Sequence, residues 1–234
     1  MKKGDLRRQA ILDTAEKLFF ERGYEETSVQ DILDAMGLSK GGFYHHFESK
    51  MAVLEAVSAR RAEQRFAQAA RELRASSLGA LDRLNRLFLL VNLFEREQPE
   101  FILTVLNVCF RGGDAALLRS LREVTLAQLG PLMDEIIAQG VRDGVFYTRR
   151  PGGIGRLLLL LAHDVEDEAA RLLVKGAGQP ESVVSVIDTL NVYRDTVELI
   201  LNAPYGSVRL FDVDDMLRVC RAVMPGLEPK EEDA

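Results

Sequence analysis

A chain of 234 residues with 47% apolar and 28% charged side chains has enough material for a sizeable buried core, which excludes a fibrous or wholly disordered protein. Its formal charge of −6 argues against indiscriminate coating of nucleic acid; residues 1–61 hold ten Lys plus Arg and ten Asp plus Glu, so the remainder carries the excess. The two cysteines, Cys109 and Cys220, stand far apart, which excludes a Cys-x-x-Cys zinc or redox motif and a disulfide framework.

The N-terminus has lysines but no apolar stretch after them, and no run approaches the length of a membrane span, so a cytoplasmic protein is expected. Lys2, Lys3, Arg7 and Arg8 make a basic start. Ile11, Leu12, Ala15, Leu18 and Phe19 then give the buried stripe of a first helix, which Gly23 ends.

Residues 27–50, TSVQDILDAMGLSKGGFYHHFESK, carry the densest pattern. Thr27 and Gln30 have capping-box spacing for a second helix, with Ser28 as the alternative cap. Val29, Ile32, Leu33 and Met36 fall at i, i+3, i+4 and i+7, one face of that helix. Gly37 can take the left-handed conformation that ends it, and Leu38 follows as an apolar plug. Ser39 can cap a third helix whose Phe43 and Phe47 point back at the second. The opposite side presents Lys40, Gly41, Gly42, Tyr44 and His45. Two adjacent glycines cost about 1 kcal/mol each in a helix, which implies close approach of the backbone to something broad. Lys50, in the first turn after Ser49, meets the positive end of a helix dipole, a penalty that a bound phosphate would reverse.

Residues 11–57, with AEKLFFERGYEETSVQDILDAMGLSKGGFYHHFESKMAVLEAV at their heart, resemble the N-terminal domain of tetracycline-repressor-like (TetR) transcriptional regulators. The resemblance implies an all-α protein: a three-helix, helix-turn-helix DNA-binding domain joined by a fourth helix to a larger helical effector-binding and dimerisation domain. It also implies that Thr27 and Ser28 lie near a phosphate, that Ser39, Lys40, Gly41, Gly42, Tyr44 and His45 face the groove, and that Lys50 holds the DNA backbone. The expected division is 1–50 for the DNA-binding domain, 51–75 for the connecting helix, 76–225 for the helical body and 226–234 for a disordered tail.

Beyond the fourth helix, residues 76–79 are short, polar and flexible, the natural boundary. Leu84, Leu87, Phe88, Val91 and Phe94 form the next apolar stripe, and residues 101–110 are apolar nearly all round, so that helix is expected to be central. Residues 111–114 turn the chain into a further helix, which Gly130 and Pro131 are expected to interrupt or kink before it resumes at Leu132. The segment GVRDGVF, residues 140–146, resembles the helix end and turn found in the body of many TetR-like proteins. Residues 154–174 and 180–201 are apolar on more than one face, and the resemblance implies a four-helix interface between two copies. A last amphipathic helix is expected at about residues 213–223.

The chemistry of an enzyme is missing: three histidines, two of them in the reader, and no nucleophile elbow or phosphate-cradling loop. No metal site or cofactor is expected; an acidic stripe on an exposed face accounts for His163, Asp164, Glu166, Asp167 and Glu168, with attraction of a cationic effector as an alternative. A small-molecule effector of unstated chemistry is expected between the body helices, where Phe88, Asn92, Asn107 and Phe110 are the candidate lining. The overall expectation is a homodimeric repressor on near-palindromic double-stranded DNA; the alternative is a DNA-binding regulator with no small-molecule pocket, controlled by a protein partner.

Overall fold

The computed structural model describes residues 3–91, 104–105, 108–109, 115–175 and 179–212. Regular structure among them is helical: α1 (Lys3–Arg22), α2 (Val29–Met36), α3 (Lys40–Tyr44), α4 (Lys50–Ala75), α5 (Ala80–Val91), α6 (Ala115–Arg142), α7 (Ile154–Lys175) and α8 (Pro180–Leu201). Residues 104–105 and 108–109 are also helical. The expected helix at 213–223, the turn at 111–114, the tail, Lys2 and Cys220 lie outside the described residues.

Ile11, Leu12, Phe19, Ile32, Leu33, Phe43, Phe47, Val53, Leu54 and Val57 bury together, so α1, α2, α3 and the start of α4 share one core. That core is not closed on itself. Val108, Cys109 and Leu117, from beyond the expected boundary at residue 76, are buried in it. A second core gathers Phe66, Leu73, Leu84, Leu87, Leu132, Ile136, Phe146, Leu158, Val197 and their neighbours from α4 through α8 and the segment after it. Helix α4 contributes to both, Leu54 and Val57 at one end and Phe66 and Leu73 at the other. Ionic contacts reinforce its seat on α1: Arg60 reaches Asp13 at 2.6 Å and Glu16 at 2.5 Å, and Arg61 reaches Glu16 at 2.9 Å.

Several local rules determine these bounds. Gly37 has φ +59° and ends α2, with the Leu38 N–H donating to the Leu33 carbonyl at 2.9 Å, the long bond of a left-handed helix end. Ser49 caps α4 by accepting from the Ala52 N–H at 3.0 Å. The GVRDGVF turn has a specific cause. Gly144 takes φ +70°, the N–H groups of Val145 and Phe146 both donate to the Gly140 carbonyl, and the Phe146 ring fills the space a Cβ on Gly140 would need.

Two expectations need correction. Gly130 and Pro131 do not interrupt the chain; α6 runs for 28 residues with Pro131 inside it. The flanking residues Leu129, Leu132 and Met133 are wholly buried, so packing on both sides of the proline outweighs the lost backbone bond. The second concerns the start of α2, where Ser28, not Thr27, is the cap. The Ser28 hydroxyl accepts from the Asp31 N–H at 3.1 Å and the Asp31 carboxylate accepts from the Ser28 N–H at 2.7 Å, a reciprocal capping box.

Candidate nucleic-acid interface

The α2–turn–α3 unit is built on a buried back and an open front. Phe43 is fully buried and Phe47 nearly so, their ring centres 6.1 Å apart, which fixes the rotation of α3 about its axis. Ser39 caps α3 by accepting from the Gly42 N–H at 3.2 Å. With that face inward, Ser39, Lys40, Gly41, Tyr44 and His45 are exposed side by side and Gly42 is half-buried. The Tyr44 ring stands edge-on to Phe43 at 5.4 Å, so its aromatic body is braced while the residue stays 54% exposed.

The two glycines have different causes. A Cβ on Gly41 would meet nothing within 4 Å, so nothing inside the chain requires its absence. A Cβ on Gly42 would lie 2.8 Å from Leu38 Cδ1 and 3.3 Å from Ser39 Oγ. Gly42 is therefore explained by the plug and cap of its own turn, and only Gly41 retains the argument from close approach to an outside surface.

The residues assigned to phosphate divide likewise. The Thr27 side chain has no exposed surface, and its hydroxyl donates to the Gly23 carbonyl at 2.7 Å; it ties the α1–α2 loop and cannot reach a phosphate. Ser28 is exposed one residue on, at the N-terminus of α2. Its side-chain and backbone hydrogen bonds hold the Asp31 carboxyl below the ordinary carboxylate value. Lys50 has partners within the chain: its Nζ donates to the Tyr24 carbonyl at 2.7 Å and the Glu25 carbonyl at 3.4 Å and lies 4.1 Å from the Tyr24 ring centre. An ammonium has three donors, and two of them are engaged here.

The body holds a cavity of about 180 Å³ between α4, α5, α6, α7 and α8. Ala62, Arg65 and Phe66 of α4 form one wall, Phe88 of α5 another, and Tyr193 of α8 a third. Of the expected lining, Phe88 is in place; Asn92, Asn107 and Phe110 lie outside the described residues. The acidic cluster is not an exposed stripe. His163, Glu166 and Asp167 line the cavity, while Asp164 faces outward and binds Arg122. Arg122 also pairs with Asp167 at 3.3 Å. Arg65, Arg122 and Tyr193 were not singled out from sequence, since the periodicity of a helix does not say which of its polar residues turn inward.

Burial governs the protonation of this wall. The surrounding apolar residues, with Arg122 beside it, lower the His163 pKa to about 4, and its Nε2 is enclosed without a hydrogen-bond partner among the described residues. Glu166 is pushed up to about 7, first by desolvation and then by the neighbouring Asp167. Its side chain lines the cavity and keeps part of its surface open, yet it is deep in the chain, where water solvates it poorly. Among the described residues no group of three His, Cys, Asp or Glu side chains is gathered closely enough to hold a metal ion.

Among the described residues no helix is long and apolar enough to cross a membrane. Residues 11–57 match the family of bacterial regulatory proteins called the tetR family. The HTH-type transcriptional repressor KstR2 of Rhodococcus jostii is 47% identical over 51 residues, 22% of this chain and 25% of that protein. The HTH-type transcriptional repressor DhaR of a Mycobacterium species is 49% identical over 45 residues, 19% of this chain and 23% of that protein. The chain thus matches about a quarter of the length of these relatives. Similarity of fold extends further. The reduced form of NemR from E. coli matches 85% of this chain and 98% of its own with TM-score 0.54 at 18% identity. A TetR-family regulator from Pectobacterium atrosepticum matches 86% and 97% with TM-score 0.56 at 21% identity. The N-terminal segment, residues 11–57, is thus similar to the DNA-binding segment of the tetR family of bacterial regulatory proteins, and the rest of the chain shares the fold of solved members.

Proposed function

We propose that this chain is a sequence-specific DNA-binding transcriptional regulator, a homodimeric repressor released from its operator by a small molecule bound in the body cavity. The observation that carries the DNA-binding part is the exposed face of α3, Lys40, Gly41, Tyr44 and His45, held rigidly by the buried Phe43 and Phe47. Lys40, Tyr44 and His45 would position the protein and read base edges, with Ser39 and Gly42 at the margin of the contact. Ser28 and the third N–H of Lys50 would meet phosphates. In this reading residues 1–50 form the DNA-binding domain, 51–75 the connecting helix and 76–225 the body.

Dimerisation is supported by α8, where Val184, Val192 and Leu199 share one face and are 58%, 66% and 81% exposed. Such an apolar stripe on an outer helix calls for a partner surface, and Leu157 on α7 is a further exposed leucine, 49% open. A second copy related by two-fold symmetry would place two readers about 34 Å apart, one turn of DNA. Release by a ligand is supported by α4, which lines the cavity with Ala62, Arg65 and Phe66 and seats Leu54 and Val57 in the reader's core. A ligand that favours a different tilt of α4 would change the reader spacing, by no more free energy than its own preference between the two states.

The direct test is fluorescence anisotropy on DNA recovered by the wild-type protein from a random pool. Tyr44→Ala and His45→Ala should each weaken binding to that DNA by about 1–3 kcal/mol while leaving thermal stability intact. Wild-type affinity in both variants would refute the placement of α3 in the groove.

A further inference from the structure

The cavity wall shows which polar groups the protein satisfies and which it leaves for something else. The Tyr193 hydroxyl donates to the Leu158 carbonyl at 2.9 Å, and the Thr125 hydroxyl to the Leu121 carbonyl at 2.9 Å. Arg122 is divided between two carboxylates, Asp164 at 3.0 Å and Asp167 at 3.3 Å. Glu166 is different. The one basic group within 4 Å of it among the described residues is the neutral His163, its Nδ1 at 3.7 Å and beyond hydrogen-bond distance, and its side chain keeps about a third of its surface open. It makes no hydrogen bond to the protein among the described residues.

The charged groups that act on Glu166 are Asp167 on its own helix, Arg65 from α4 and Arg122 from α6; His163 on α7 and the Tyr193 hydroxyl of α8 stand beside them. Arg122 is shared between Asp164 and Asp167, so Glu166 is the carboxylate of this wall that the protein leaves without a hydrogen bond. The rest of the wall is apolar and aromatic, with Phe66, Phe88, Tyr193 and Phe211 around the space; Phe88 and Tyr193 stand edge to face, their ring centres 6.3 Å apart. Aromatic faces favour a cation and an apolar body together. A cavity of about 150 Å³ accepts a benzene ring, so the present one suits a single substituted ring or its equivalent.

We propose that the body cavity takes a small apolar molecule bearing one protonated amine, the ammonium seated on the Glu166 carboxylate and the apolar part lying against the Phe88 and Tyr193 pair. This rests on the reading of the cavity as the effector site and specifies its ligand class. Seating the cation requires Glu166 to be ionised. Where the empty site holds it protonated, binding releases that proton to solvent.

The probe is 2-phenylethylamine, titrated calorimetrically into the full chain beside its neutral and anionic counterparts, 2-phenylethanol and phenylacetate. The amine should bind at least about tenfold more tightly than the alcohol, and phenylacetate more weakly than either. Amine affinity should rise as pH passes upward through about 7, with proton release visible as a dependence on buffer ionisation heat. Glu166→Gln, which mimics the protonated side chain and so should fold, should cost about tenfold in amine affinity and leave the alcohol unchanged. Equal binding of amine and alcohol, a preference for phenylacetate, no saturable amine binding, or an unaltered Glu166→Gln would overturn the proposal. Release of operator DNA is measured separately: an amine that binds as described yet leaves DNA bound would refute induction through this cavity and not the ligand class.

Discussion

Lys50 Nζ lies 2.7 Å from the carbonyl oxygen of Tyr24 and 4.1 Å from the centre of its ring, so a single ammonium ties the first turn of α4 to the loop between α1 and α2. A cation at the positive end of its own helix is a local penalty. Carbonyl oxygens and the face of an aromatic ring offset it before any DNA is present.

Lys50→Met, which keeps much of the aliphatic stem, should therefore lower the stability of the free protein by about 1–2 kcal/mol. If the third N–H also meets a phosphate, the same variant loses about one unit from the slope of log affinity against log salt. Thermal denaturation and a salt titration of DNA binding measure the two effects independently. A stability loss with an unchanged slope would confine Lys50 to the loop.

Gly41 and Gly42 should respond differently to alanine. Replacing a helical glycine gains up to about 1 kcal/mol from backbone entropy. Gly41→Ala meets no neighbour within 4 Å, so it should raise the melting temperature and weaken operator binding, the added methyl intruding on the groove surface. Gly42→Ala must push Leu38 aside, so its melting temperature should fall below that of Gly41→Ala. The reverse order would contradict the account of the turn.

Gly140→Ala should destabilise the body by about 1–3 kcal/mol, the ordinary cost of overpacking, because its Cβ would overlap the ring of Phe146, itself buried. Urea denaturation reads this directly. A double variant with Phe146→Leu should cost less than the two changes summed, since the smaller side chain leaves room for the methyl.

Glu166 and His163 make opposite contributions to the pH dependence of stability. Glu166 rises from 4.5 to about 7 on folding, so the folded chain holds its proton more tightly; the associated stability is present below pH 4.5 and is lost as pH climbs to about 7. His163 falls from 6.5 to about 4, so the folded chain resists its proton, and stability is lost as pH drops through that window. The two nearly cancel in the wild type between pH 4.5 and 6.5. Glu166→Gln removes one of them. Relative to wild type, the variant should gain melting temperature as pH rises from 4.5 to above 7; a constant difference would show that Glu166 is not desolvated.

Residues whose roles are set within one or two helical turns were legible in the sequence. The Gly37 helix end, the Ser39 and Ser49 caps and the paired phenylalanines of α3 are such cases, because caps and apolar spacing act locally. Thr27 was misread because two adjacent hydroxyl residues both have cap chemistry, and only the three-dimensional loop decides which one turns inward. That α6 runs on without interruption through Pro131 was not legible, because the local cost of the proline is plain in sequence, whereas the packing of Leu129, Leu132 and Met133 around it is not. The His163 cluster was visible as a composition. Its inward orientation depends on where α4, α6 and α8 lie against α7, which no local pattern states.

The central claim is that two copies of the α3 face read DNA together. Selection of bound sites from random duplex DNA, followed by hydroxyl-radical footprinting, tests it most directly. The account predicts an enriched inverted repeat whose half-sites lie one helical turn apart, about 34 Å, protected symmetrically about its centre. Failure to enrich any sequence, or enrichment of a site protected on one half only, would contradict it.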